Sequence, residues 1–434
     1  MDILVIRGGT PLEGTVRTAG AKNSVLPILA ASLLTEEVLS LENVPDLSDV
    51  NTMLRILEML GARVERTGPN ALDICSRPAA QPVAPWDLVR KMRASFEVFG
   101  PLLGRRGRAE VSYPGGCSIG VRPVDAHIRG FEALGAKIRT QEGYVVAEAP
   151  PGGLPGGEAY LATSSGSSVG ATRNVMMAAV LARGRSVLSC AACEPEVVDL
   201  ANCLNAMGAR IQGAGSPTIE VEGVEALHGA RHRVIPDRIE AGTYVVAGAI
   251  TGGRVRVEDC RPEHLTALLD ALYRSGVGIE RGKDWIETQP RDIARERLRP
   301  TDVTTQPYPG FPTDLQAQWM ALMALADGVS VITERIFPDR YMHLAELLRL
   351  GARIRRQETA AVVEGVPALS GASIMASDLR ASAALVLAGL VSPGQTVVHR
   401  VYHIDRGYER IEERLSALGA TIHRESEPAE SGAG

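Results

Sequence analysis

Three cations stand where cations are least expected. Lys22, Arg93 and Arg380 each introduce an almost wholly apolar run: Ser24–Leu34, Phe96–Leu103 and Ala381–Leu390. Such runs read as buried helices. The free N–H groups and dipole of a helix N-terminus favour anions, so a cation there is locally unfavourable. Two explanations stay open: an exposed cap paired with Asp or Glu, or a cation kept to meet a multiply charged anionic ligand. Only four of the 46 basic residues are lysines, which makes Lys22 more notable. Three loops add Arg122, Arg340 and Arg406, each placed by the pattern where an amphipathic helix begins. Arginines gathered in this way suit phosphate or carboxylate recognition. Cys117 ends the string Pro114-Gly115-Gly116-Cys117, close to Arg122. A lone cysteine is most often inert, but a glycine-rich loop beside basic groups lowers a thiol pKa and raises its reactivity.

The scaffold that must hold these residues is repetitive. The phrase Leu60-Gly61-Ala62-Arg63-Val64 recurs in related form around Gly135, Gly208, Gly276, Gly351 and Gly419, at spacings of 74, 73, 68, 75 and 68 residues. Six related units follow from that spacing. Each holds a buried helix, a strand, a loop, an amphipathic helix closed by the phrase's glycine as C-cap, and a further strand. The fold class is α/β. Three units sharing one core would give two similar halves, with the N-termini of the buried helices pointing the same way.

Size and composition narrow the function. A chain of 434 residues suggests two domains. A net charge of −5 gives no electrostatic case for nucleic acid or an anionic membrane. Apolar runs such as Ala383–Val391 are too short to span a bilayer, and Met1-Asp2-Ile3-Leu4 lacks a basic leader, so a cytoplasmic protein is expected. Six cysteines in this length do not suggest a disulfide framework, and Cys190-Ala191-Ala192-Cys193 has no second pair to hold zinc. No metal-ligand spacing is present, and no cofactor is expected.

Several strings resemble the enolpyruvyl transferases, in the branch that acts on nucleotide sugars. They are Gly20-Ala21-Lys22-Asn23, Lys91-Met92-Arg93-Ala94-Ser95, Pro114–Cys117, Gly120–Asp125, Phe311-Pro312-Thr313-Asp314, Ser377–Ser382 and Tyr402–Arg410, and the likeness runs from Ile6 to Ile422. The resemblance implies two inside-out α/β barrel domains of three units each, with the active site in the cleft between them. It places the domains at 22–235, and at 1–21 with 236–434. It implies transfer of the enolpyruvyl group of phosphoenolpyruvate to the 3-hydroxyl of UDP-N-acetylglucosamine with release of phosphate, by addition and elimination, as the first committed step of peptidoglycan synthesis. In that scheme Cys117 supplies the proton and Asp314 is the candidate base. Lys22, Arg122 and Arg406 clamp phosphate and carboxylate, with Arg93, Arg340, Asp378 and Arg380 around them. Asn23 contacts the sugar. Arg122, Pro123, Val124, Asp125, Ala126, Gly166, Ser167, Ser168, Val169 and Ile336 hold the uridine diphosphate.

Three departures touch the nucleotide side. Ala126 stands where the family commonly has Leu, Cys193 where an Arg commonly precedes Glu194-Pro195-Glu196, and Ser164–Ser168 carries no basic residue. They keep a second acceptor open: another nucleotide such as UMP, in natural-product biosynthesis. The shikimate branch fits the Cys117 loop less well. An RNA 3′-phosphate cyclase would want a catalytic histidine, for which the eight histidines offer no obvious setting. A non-catalytic sensor would have no use for Cys117, Asp314 and Lys22 together.

Overall fold

The computed structural model describes residues 1–77, 83–84, 92–113 and 124–427. The chain divides into two compact units. One runs from Gly20 to Ile235; the other joins Met1–Ala19 to the chain from Pro236 onward.

In the Gly20 unit, three helices fill the core. They are Lys22–Ala31, Phe99–Arg106 (entered through the 3-10 turns Arg93–Val98) and Val169–Ala179. Every residue of Lys22–Ala31 except Asn23 is buried, as a helix without a polar stripe requires. Three four-stranded sheets surround this core, and each has one parallel and two antiparallel pairings. Leu39–Glu42 lies parallel to Ala230–Arg233 and antiparallel to Ala71–Ser76, which pairs with Ala62–Gly68. Arg108–Ser112 and Arg185–Ser189 occupy the same place in the other two sheets. Because Ala230–Arg233 returns to the first sheet, the last strand of the unit closes on its beginning.

The second unit repeats the plan with the helices Arg238–Thr251, Gln316–Met323 and Leu379–Val391. Its sheets centre on Arg254–Glu258, Val329–Thr333 and Gln395–His399. The N-terminal strand Asp2–Arg7 supplies the third strand of the last sheet, between Gln395–His399 and Thr421–Ser426. The start of the chain therefore completes its final repeat.

The six repeated glycines behave as their spacing predicts. Gly61, Gly135, Gly208, Gly276, Gly351 and Gly419 all adopt positive φ, between 89° and 100°. In five copies the next residue donates back across the turn, as Ala136 N does to Phe131 O and Ala420 N to Leu415 O. This left-handed closure costs glycine little and a side chain much more.

Candidate active site

The N-termini of the three core helices in the Gly20 unit converge. Gly20 sits so tightly that an added Cβ would lie 1.7 Å from the Asn43 carbonyl oxygen. Two residues on, Lys22 opens its helix with only 8% of its surface exposed and Nζ 2.7 Å from Asp49 Oδ2. Neither sequence explanation covers this in full: Lys22 is paired, but it is not an exposed cap. Asp49 lies in the first turn of the helix Ser48–Met59, where an acid also complements the dipole.

Asn23 is positioned through its backbone. Pro27 has no N–H to donate to the Asn23 carbonyl four residues earlier. Arg173, from the third core helix, donates to that carbonyl from Nη1 at 2.6 Å. Its Nη2 meets Glu97 Oε1 at 2.6 Å, on the turns that lead into the second core helix. Asn174 adds bonds to the Phe96 carbonyl, Gly100 N and the His127 ring. One buried network thus ties the starts of all three helices together. Several residues expected to hold the nucleotide belong to the same unit. Val124 and Ala126 are buried at the start of the helix Asp125–Ala133, and Asp125 pairs with Arg129 at 2.5 Å. Partial burial raises the Asp125 carboxyl, but the Arg129 hydrogen bond, the Arg129 charge and backbone N–H groups together hold it below the usual range. Gly166 and Ser167 form one arm of a short hairpin. Ser168 then caps Val169–Ala179, accepting from Ala171 N at 3.2 Å.

The second unit gathers charge in the same manner. Asp314 follows Thr313 into the second core helix, and its side chain is 25% exposed. Arg340 Nη1 donates to Asp314 Oδ1 at 2.7 Å and to Thr313 Oγ1 at 3.0 Å. Arg380 Nε lies 3.6 Å from Asp314 Oδ2. Asp378 caps the third core helix, with Oδ1 accepting from Arg380 N and Ala381 N. Burial alone would push the Arg380 guanidinium down; Tyr408, over whose ring it sits at 5.3 Å, and Asp314 offset this and keep it charged. The Tyr408 hydroxyl also meets the guanidinium, but none of the three Arg380 side-chain nitrogens has a partner in full hydrogen-bond geometry among the described residues. A buried guanidinium with unused donors is suited to an anion. His343 is also buried without such a partner, and burial pushes it down to about 4, with Asp378 pulling it up and Arg340 pushing it further down.

Arg340 and Arg406 differ from the sequence expectation in one respect. Neither begins an amphipathic helix. Arg340 lies in the loop before His343–Arg349, and Arg406 ends the 3-10 turns Val401–Arg406, ahead of Ile411–Ala417. The loop before Ile411–Ala417 is anchored by side chains. Arg424 grips Asp405 with two bonds of 2.6 and 3.0 Å and holds Glu412 at 2.7 Å. Ile336 is half-buried, its N–H on Glu334 Oε1 at 2.8 Å. Cys117, Arg122 and Pro123 lie outside the described residues, as does the side chain of Arg93, although its backbone opens the turns Arg93–Val98.

Sequence reasoning missed Asp49, Glu97, Glu334 and Arg424. An acid in the first turn of an amphipathic helix was a readable signal for Asp49. The other three each reach a distant partner, Glu97 to Arg173 across 76 residues, Glu334 to Thr305 across 29 and Arg424 to Asp405 across 19, and the sequence does not announce those pairings. Within each unit, then, buried cations and carboxylates collect where the core helices begin. In the second unit they leave one carboxylate partly open beside a guanidinium with unused donors. That set can bind phosphate or carboxylate and can move a proton.

Comparison with known proteins agrees with this chemistry. The family model for EPSP synthase (3-phosphoshikimate 1-carboxyvinyltransferase) matches residues 6–415. The UDP-N-acetylglucosamine 1-carboxyvinyltransferase of Pseudoalteromonas atlantica is 51% identical over 424 residues, covering 98% of this chain and 100% of that one. Among solved structures, the enolpyruvyl transferase NikO from Streptomyces tendae matches with a TM-score of 0.86 at 28% identity, covering 98% of this chain and 99% of that one. An EPSP synthase from Acinetobacter baumannii matches with a TM-score of 0.74 at 19% identity, over 98% of this chain and 100% of that one, and shows the shared fold. The repeats, the charged helix starts and the length of these matches lead to one assignment: the chain belongs to the EPSP synthase family and is an enolpyruvyl (carboxyvinyl) transferase.

Proposed function

We propose that this protein transfers the enolpyruvyl group of phosphoenolpyruvate to the 3-hydroxyl of UDP-N-acetylglucosamine, releasing phosphate, as the first committed step of peptidoglycan synthesis in the cytoplasm. The observation that carries the acceptor is the 51% identity, over nearly the whole of both chains, to a relative named for that reaction. No helix among the described residues is long and apolar enough to cross a membrane.

In this reading the sugar hydroxyl loses its proton to Asp314 as its oxygen bonds to the central carbon of phosphoenolpyruvate. Cys117 gives a proton to the terminal alkene carbon, and a tetrahedral ketal forms. Return of a proton from the new methyl group to the Cys117 thiolate then expels phosphate and restores the alkene on the sugar. Lys22, Arg122 and Arg406 hold the phosphate and carboxylate, with Arg93, Arg340, Asp378 and Arg380 around them; fixed cations stabilise the charge that grows on the departing phosphate. Asn23 faces the sugar. Arg122–Ala126, Gly166–Val169 and Ile336 take the nucleotide, and 22–235 and the remainder act as two three-unit domains that share the substrates. The partial exposure of Asp314 and the unused donors of Arg380 support the assignment of these roles.

The test is phosphate release from phosphoenolpyruvate, with mass spectrometry of the acceptor, offering UDP-N-acetylglucosamine, UMP and shikimate 3-phosphate in parallel. Release with the nucleotide sugar, and a product heavier by one enolpyruvyl group, is expected. Release with UMP alone would keep the chemistry and reassign the acceptor, and Ala126, Cys193 and Ser164–Ser168 would be the residues responsible.

A further inference from the structure

Glu334 follows the strand Val329–Thr333 and is fully buried. A buried carboxylate is tolerable only where hydrogen bonds replace water, and Glu334 accepts four. Oε1 accepts from Thr305 Oγ1 at 2.7 Å, Ile336 N at 2.8 Å and Phe337 N at 2.9 Å. Oε2 accepts from Thr313 Oγ1 at 2.9 Å. An ionised carboxylate only accepts, so the Thr313 hydroxyl proton must point at Glu334. That orientation leaves a Thr313 lone pair for Arg340, whose Nη1 also donates to Asp314 Oδ1. The two hydrogens of that nitrogen are thereby both used. One carboxylate therefore fixes two loops, the one that ends in Thr313-Asp314 and the one that runs from Ile336 to Arg340.

We infer that Glu334 is a positioning residue for the transfer reaction: acting through Thr313 and Arg340, it sets the orientation of the Asp314 carboxylate. This rests on the function proposed above. Glu334 is too enclosed to meet substrate itself. It decides which way a hydroxyl points, and that hydroxyl decides where a guanidinium can sit.

The decisive variant is Glu334→Gln, which keeps the shape and reverses one end. If the glutamine oxygen takes the three-donor side, its NH2 faces Thr313 Oγ1. The Thr313 hydroxyl then accepts from both the new NH2 and Arg340, its own proton loses the Glu334 acceptor and must turn elsewhere, and the orientation of the Thr313–Arg340–Asp314 chain is no longer fixed. Misplacement on this scale lowers kcat by about 10²-fold, with a much smaller change in KM for phosphoenolpyruvate, because Lys22, Arg122 and Arg406 are outside the network and only Arg340, at the edge of the clamp, belongs to it. Thr313→Val should show the same loss; Thr313→Ser, which keeps the hydroxyl, should regain most of it. The threonine pair decides the matter even where Glu334→Gln fails to fold. Wild-type kcat in Glu334→Gln or Thr313→Val, or a lowered melting temperature with kcat per folded enzyme unchanged, would overturn the inference. Crystal structures of the variants read the geometry without substrate: an Arg340–Asp314 contact that has not moved overturns it whatever the activity. A wild-type enzyme silent with every acceptor would refute the proposed function instead, and the structural arm would still decide the role of Glu334.

Discussion

Acid should destabilise this protein through one histidine. His343 is completely buried, its two ring nitrogens have no hydrogen-bond partner among the described residues, and it is held from 6.5 down to about 4. Burial is the main cause; Asp378 opposes it and Arg340 adds to it. The sign follows from proton uptake. Above pH 6.5 the ring is neutral in both folded and unfolded chains, and no stability is lost. Below 6.5 the unfolded chain takes a proton that the folded chain refuses, so stability falls as pH drops toward about 4 and then levels off. The full loss is about 3 kcal/mol, of which about 2 kcal/mol should be gone by pH 5. Other carboxylates titrate in the same window, so the comparison must be internal. Urea unfolding of the wild type and of His343→Phe, measured at pH 7.5 and pH 5, isolates the ring. Fluorescence of Trp319, fully buried in the same unit, reports the transition. The variant should lose about 2 kcal/mol less than the wild type between the two pH values. Parallel losses would refute the argument, whatever the variant's stability at pH 7.5.

Three further outcomes are expected. Cys117→Ala should abolish turnover or product release in the phosphate assay, and fosfomycin should add one mass increment to the peptide that holds Cys117; near-normal activity or labelling elsewhere would remove that thiol from the mechanism. Arg173→Met should destabilise the protein by about 3–5 kcal/mol, since it leaves Glu97 buried without its 2.6 Å partner, and Arg173→Met with Glu97→Met should recover most of that in a double-mutant cycle by urea unfolding. Gly20→Ala should cost about 3 kcal/mol, because its Cβ would meet backbone and not a flexible side chain; an unchanged melting temperature would show that the Asn43 segment gives way freely.

Periodicity made much of this protein legible in the sequence. A glycine that must adopt positive φ after each amphipathic helix leaves a mark every 68–75 residues, and all six marks proved to be left-handed turns. Apolar runs without a polar face had to be core helices, and the misplaced cations at their starts pointed to the charged ends of those helices. These signals are local: a turn, a helix face and a cap each depend on residues within a few positions. The tertiary structure decided how the charges are held. Pro27 predicts only a missing N–H; that Arg173 fills the place, 150 residues on, follows from the packing of one helix against another. Glu334 reads as one acid in a charged loop until the fold brings Thr305 and Thr313 to it. The pairing of Lys22 with Asp49 and the burial of His343 depend equally on the fold, because hydrogen bonds and desolvation act through space and leave no period in the chain.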